Sequence, residues 1–142
     1  MVQNFKNHAK IVPAFHYVAG PIFLFYMVWA TVRMARHFTA DNVVAVLLAI
    51  ALVILSFEAR LFALRVQDRV IRLEMRLRMR EILPADLQTR IPEFTVSQLI
   101  ALRFAGDAEL PGLAKKVLDE KLTDRTAIKK MIQNWQPDTL RA

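Results

Sequence analysis

Apolar residues crowd the first part of the chain in unbroken runs and later separate into stripes. Between Lys10 and Arg33 an uncharged run, Ile11 to Val32, extends for 22 residues. As a helix rising about 1.5 Å per residue it reaches roughly 33 Å, enough to cross a hydrocarbon layer of about 30 Å. A second uncharged run, Asn42 to Phe57, is shorter and denser; from Val43 onward it holds four Val, four Leu, two Ile and one Phe. At about −0.3 to −0.6 kcal/mol apiece these contribute roughly −3 to −7 kcal/mol to insertion, and Glu58 and Arg60, near the helix end, cost less than central charges. The pattern predicts two spans, near residues 11–33 and 43–64.

Within the first run, Pro13 suits a first turn. Pro21 beside Gly20 removes a hydrogen bond in mid-helix and predicts a kink. Phe15, Tyr17, Phe23, Phe25, Tyr26 and Trp29 give this span an aromatic surface for lipid or a partner. A cleaved signal peptide fits less well, because the apolar region is too long and no small-x-small site follows it.

Neither Gly nor Pro interrupts the 42 residues from Asn42 to Leu83. Asp41 is placed to cap this helix and Pro84 to stop it. A continuous helix of that length extends about 63 Å, so its second half, 65–83, leaves the membrane. There Val66, Val70, Leu73 and Leu77 recur at 4-3-4 spacing as one apolar seam. Leu64, Ile71 and Met75 form a second stripe nearly opposite, and Arg65, Arg69, Arg72, Arg76 and Arg80 run between the two. Asp68–Arg72 and Glu74–Arg78 have the i,i+4 spacing of supporting ion pairs. Two stripes imply two neighbours. The seam spans about two heptads, too short for a coiled coil by itself.

Beyond Pro84 the composition turns to that of a small soluble domain, residues 84–142. Thr95 and Gln98 form a capping-box signature ahead of Leu99 to Leu102, with Phe104 completing the apolar face. Pro111 opens a second helix carrying Leu113, Val117 and Leu118. Thr123 or Asp124 caps a third, with Ile128, Met131 and Ile132, and Trp135 reads as an anchor at its end. So small a domain needs the long helix to lean on. The fold class is therefore all-α: a transmembrane hairpin (1–64) whose long second helix extends into the cytoplasm, then a small three-helix C-terminal domain.

Charge orients this arrangement. The chain has 20 Lys plus Arg against 13 Asp plus Glu, and no cysteine. Seven arginines between Arg60 and Arg80 face two acids, Asp68 and Glu74, and Lys6 and Lys10 flank the first span. The turn between the spans carries Arg33 and Arg36 against Asp41. The positive-inside rule then puts both termini in the cytoplasm. The overall excess of basic residues does not imply nucleic acid: residues 92–142 hold eight basic and seven acidic side chains. The excess lies next to the membrane, where Arg60, Arg65, Arg69, Arg72, Arg76 and Arg80 suit anionic headgroups or a partner.

Chemistry is sparse. Without cysteine there is no thiol nucleophile, thiolate zinc site or iron–sulfur ligation, and His8, His16 and His37 are too scattered for a metal site. No phosphate-binding Gly loop, zinc-protease motif or Ser/His/Asp context occurs, so no catalytic residue, cofactor or metal is expected. The sharpest polar pair is His16 with Glu58. An antiparallel hairpin turning between Val32 and Val43 sets Glu58 level with Tyr17 and His16. Glu58 has no basic residue three or four positions away, and a carboxylate at that depth needs a partner or a proton. A structural polar clamp of His16, Tyr17 and Glu58, with Lys10 as substitute, is favoured over a proton-responsive site.

Several segments together carry a resemblance: Gln3-Asn4-Phe5-Lys6-Asn7-His8 with Pro13, Arg60-Leu61-Phe62-Ala63-Leu64, Gln67-Asp68-Arg69, Ile100-Ala101-Leu102-Arg103-Phe104-Ala105, and Asn134-Trp135. Along essentially the whole chain it resembles a family of small bacterial two-span membrane proteins of unknown function. The resemblance implies a bacterial source and the inner (cytoplasmic) membrane, and it supplies no activity. The reading of the sequence is a non-catalytic membrane protein, an accessory subunit or self-associating scaffold that docks a partner through its cytoplasmic helices. It is expected as a homo-oligomer or part of a larger membrane complex, without nucleic acid. The alternatives are a component of a small transporter or channel, with His16, Tyr17, Glu58 and Thr31 along a polar path, or a module binding anionic lipid.

Overall fold

The computed structural model describes residues 4–5 and 11–138. The chain divides into two compact units, Lys10–Leu64 and Arg65–Ala142 with Met1–Ala9. Among the described residues it is helical throughout, apart from turns and one isolated antiparallel bridge.

In the first unit a π-helical segment, Ala14–Ala19, runs directly into helix α1, Gly20–Arg36. The disturbance predicted at Pro21 takes this form. Proline has no N–H and its ring crowds the carbonyl four residues back, a conflict that a wider π turn relieves. The Gly20 amide accordingly donates to Phe15 O, five residues back. A Cβ on Gly20 would lie 3.2 Å from that same oxygen, so the bare backbone suits the turn.

Helix α2, Ala40–Ile82, is continuous over 43 residues. Its cap differs from the expected one. Thr39, not Asp41, stands at the N-cap, and its hydroxyl accepts from the Asn42 amide at 3.3 Å. Asp41 lies inside the first turn, where its charge favours the helix dipole without capping it. Asn42 is 5% exposed and its Nδ2 donates to His37 O at 2.6 Å, tying the connecting turn to the helix. Segment Ala14–Arg36 and helix α2 are both long and apolar enough to cross a membrane.

The faces that these two segments shelter mix small residues with larger apolar ones, and the small ones are the most enclosed. Ala30 of α1 and Ala49 of α2 are buried, and Ala19, Phe23, Met27 and Met34 on one side, with Ala45, Leu52, Val53 and Ser56 on the other, are half-buried. Small side chains let helix backbones approach closely where no hydrophobic drive is available. The remaining surface is apolar and open, with Phe25, Leu47 and Leu55 among the most exposed.

The second unit has a conventional core. α2 ends at Leu83–Pro84, as predicted, and a short helix α3, Ala85–Gln88, and a 3₁₀ turn, Ile91–Glu93, lead to α4, Val96–Leu102. The capping box is present: Thr95 Oγ1 accepts from the Gln98 amide, and Gln98 Oε1 accepts from the Thr95 amide at 2.8 Å. Helix α5, Leu110–Asp119, carries Pro111 in its first turn. Helix α6, Arg125–Lys130, is capped by Asp124, whose carboxylate accepts from Thr126 and Ala127. Phe104, Leu99, Leu102, Leu110, Val117 and Ile128 are buried to below 2% exposure.

Connections the sequence did not announce close this core. The strand-like pairing of Ala105 with Trp135 brings the end of the chain back beside α4, with Gly106 N–H donating to Asn134 O and Gln136 N–H to Phe104 O. A Cβ at Gly106 would lie 2.7 Å from Asn134 Nδ2, so a larger residue at this crossing would oblige the Asn134 side chain to shift. Trp135 anchors the segment as expected, stacked on Phe104 with ring centroids 4.5 Å apart. The Glu109 carboxylate gathers the amides of Gly106, Gln133 and Asn134 within 3.2 Å, holding both sides of the crossing.

Candidate functional site

The second half of α2 presents two contrasting faces within the C-terminal unit. Ile71, Met75 and Met79 are 4% exposed or less and join Leu83 in the core formed with α4, α5 and α6. Their four-residue spacing continues the second stripe of the sequence past Met75 to Met79 and Leu83. The small domain therefore leans on the long helix, as its size requires.

Arg78 fixes this contact. Its Nε donates to Asp107 Oδ1 at 2.9 Å, and its terminal nitrogens reach the carbonyls of Arg103 at 3.2 Å and Ala105 at 2.6 Å. A planar guanidinium satisfies a carboxylate and the open carbonyls after α4 together, which an ammonium cannot do. The expected i,i+4 pair Glu74–Arg78 does not form, because Arg78 is committed to this long-range set. Nor do Asp68 and Arg72 pair among the described residues. The signal for Arg78 lay in its position beside the Met75–Met79 stripe, but its partner is 29 residues away.

The other face is uncovered. Val66, Val70, Leu73 and Leu77 are 61%, 48%, 62% and 52% exposed. The predicted interaction seam is thus an apolar strip left open by the described residues of the unit. Of the arginines assigned to headgroups or a partner, Arg65, Arg69, Arg72 and Arg80 are exposed, and Arg60 and Arg76 are half-buried.

The polar clamp falls in the hairpin unit. His16 is exposed, and its Nδ1 lies 2.9 Å from Val12 O and 3.2 Å from Val12 N, contacts within its own turn. The ring also meets Phe15 edge-on at 5.1 Å. Tyr17 is 65% exposed, and Glu58 is half-buried and engaged. Lys10, the substitute partner, lies outside the described residues, as do Lys6 and His8. His16 borders a cavity of about 330 Å³ with Phe23, Leu24, Val53, Ser56 and Phe57. Ser56 and His16 are its polar lining. Thr31, the remaining member of the polar path, spends its hydroxyl on Met27 O at 2.8 Å. No group of His, Asp and Glu suited to a metal occurs among the described residues.

The chain belongs to DUF6526, a family of unknown function, whose match covers residues 1–142. No curated protein and no solved structure matches it. For this DUF6526 member, membership agrees with the unknown-function part of the resemblance and leaves the biochemical role to be argued from the surfaces just described.

Proposed function

We propose that the chain is a non-catalytic, membrane-anchored interaction protein of the bacterial inner membrane. Its hairpin spans the bilayer with both termini in the cytoplasm, and the second half of α2 docks a partner as an accessory subunit or scaffold. The observation that carries this reading is the exposed seam of Val66, Val70, Leu73 and Leu77, on a helix whose opposite face is already occupied. An apolar strip of this regularity is costly to leave in water and marks an interaction site. Basic residues concentrated after the second span support the orientation, and the π-cation contact of Arg33 on Trp29, 5.3 Å from the ring, suits the opposite interface.

The reading is tested with tagged full-length protein purified from its own membranes in mild detergent. Light scattering after size exclusion, with mass spectrometry of what co-purifies, reads the assembly. An assembly lost on Leu73→Asp is expected. A strict monomer that retains nothing, in the wild type, overturns the proposal.

A second reading has its own support: Arg72 and Arg80 are exposed and hold no ion pair among the described residues, as headgroup-binding side chains would. Binding to anionic vesicles that weakens steeply with salt, and is reduced by Arg72→Ala with Arg80→Ala, would favour a lipid role for this face. The clamp of His16, Tyr17 and Glu58 has a structural role in this proposal. Liposome flux sensitive to Glu58→Gln would instead promote a transport function.

A further inference from the structure

The seam carries more information than its exposure. Its 4-3-4 spacing sets a heptad in which Val70 and Leu77 occupy a positions and Val66 and Leu73 occupy d positions. The flanking g positions are then Arg69 and Arg76, and the e positions are Glu74 and Glu81. Both flanks are therefore single-signed, and the two signs are opposite. None of these four side chains makes an ion pair or hydrogen bond among the described residues, and Arg69, Glu74 and Glu81 are exposed.

We propose that a second copy of this chain covers the seam, its helix parallel to the first and in register. In a parallel pair each g side chain meets the e side chain five positions further along the other helix. Arg69 then meets Glu74 of the partner subunit, and Arg76 meets Glu81 of the partner subunit. Two-fold symmetry repeats both contacts on the other side. An antiparallel pair would instead set g against g and e against e, bringing Arg69 to Arg76 of the partner subunit and Glu74 to Glu81 of the partner subunit. Like charges exclude that arrangement, so the flanks choose the orientation more than they add strength. Val70 at a followed by Leu73 at d is the combination that favours two strands, whereas Leu77 at a and Val66 at d add nothing to that preference, so the pairing rests on the flanking charges. Arg80, at the next d position, ends the apolar seam.

The small domain does not compete for this face, since Ile71, Met75 and Met79, which it covers, lie opposite the seam. The seam's length of about two heptads would leave such a pair weak between free chains. The inference therefore rests on the membrane-anchored reading. Two copies inserted with one orientation present their helices side by side and parallel, at a high effective concentration.

The absence of cysteine makes the test direct. Full-length chain bearing Val70→Cys is oxidised in native membranes and compared with Arg72→Cys, an exposed position off the seam. A covalent dimer at least about tenfold more abundant for Val70→Cys is expected, because a positions adjoin across the pair and c positions do not. In the Val70→Cys background, Arg69→Glu with Arg76→Glu should lower that yield by about tenfold, and adding Glu74→Arg with Glu81→Arg should restore it. Arg69, Glu74 and Glu81 are exposed and Arg76 is half-buried with its Nε enclosed, so circular dichroism checks that the variants remain folded. Equal yields at residues 70 and 72, or no recovery in the fourfold exchange, overturns the parallel self-pairing. Cross-linking of Val70→Cys to a different polypeptide alone also overturns it, but leaves the docking reading standing. A wild type that is monomeric and captures nothing removes both.

Discussion

Two faces of one helix have opposite fates. Ile71, Met75 and Met79 are enclosed by the small domain, whereas Val66, Val70, Leu73 and Leu77 remain open. Hydrophobicity does not separate them: the enclosed stripe is built from Ile and Met, the open one from Val and Leu. The difference is what the rest of the chain supplies opposite each. Leu99, Leu102, Leu110 and Val117 close over the first, and none of the described residues closes over the second. A buried stripe stabilises the fold, while an open one stays available for association. Stability and association should therefore be separable by substitution along the same few turns.

The largest expected effect is on the enclosed face. Met79→Ala should destabilise the C-terminal unit by about 2–5 kcal/mol through lost burial and a residual cavity. In the detergent-dispersed monomer, Val70→Ala should change stability by no more than about 0.5 kcal/mol. Urea unfolding followed through Trp135 fluorescence, with Trp29→Phe as background, measures both. Equal losses would mean that the faces do not differ in the way described.

Arg78→Ala comes next. It removes bonds to Asp107 and to two carbonyls from a side chain that is 21% exposed. A loss of about 1.5–3 kcal/mol is expected in the same assay. Arg78→Lys should recover only part of it, because a point charge cannot serve all three acceptors. Full recovery would show that charge, rather than the guanidinium fork, holds α2 to this unit.

Thr95→Ala should cost about 1 kcal/mol by removing the N-cap of α4. The effect should appear in the thermal midpoint without changing self-association. The smallest effect has the opposite sign. Lys121 adopts φ 51° after α5, with its amide donating to Leu118 O and that of Leu122 to Val117 O, the pattern that favours glycine. Lys121→Gly should raise stability by up to about 1 kcal/mol, read as a higher midpoint. A decrease would show that the Lys121 side chain contributes more than its backbone costs.

The hairpin unit extends the comparison. There Ala30 and Ala49 are buried while large residues such as Phe25 and Leu55 face outward, the reverse of the C-terminal core. In the membrane reading, lipid takes the place of a protein neighbour, so close backbone approach matters more than burial of bulk. Arg90 illustrates the aqueous counterpart. The bond to Asp119, then that to Glu93, raises its pKa above the usual guanidinium value, keeping a permanently charged tie across the small domain.

What the sequence determined alone was local or periodic. Two apolar runs of spanning length, the stop at Pro84, the Thr95–Gln98 capping box, a cap at Thr123 or Asp124 and the two stripes of α2 all follow from residues within a few positions of one another. The disturbance at Pro21 was legible, but its resolution as π turns was not, because it depended on how Gly20 and Phe15 fit together. The cap of α2 shifted from Asp41 to Thr39 because capping depends on where the chain leaves its turn, which Asn42 and His37 decide. Only the tertiary structure could choose which stripe the small domain covers, assign Arg78 to Asp107 instead of Glu74, and return Trp135 to Phe104. Those contacts join residues about thirty positions apart, where spacing carries no information and packing alone selects the partner.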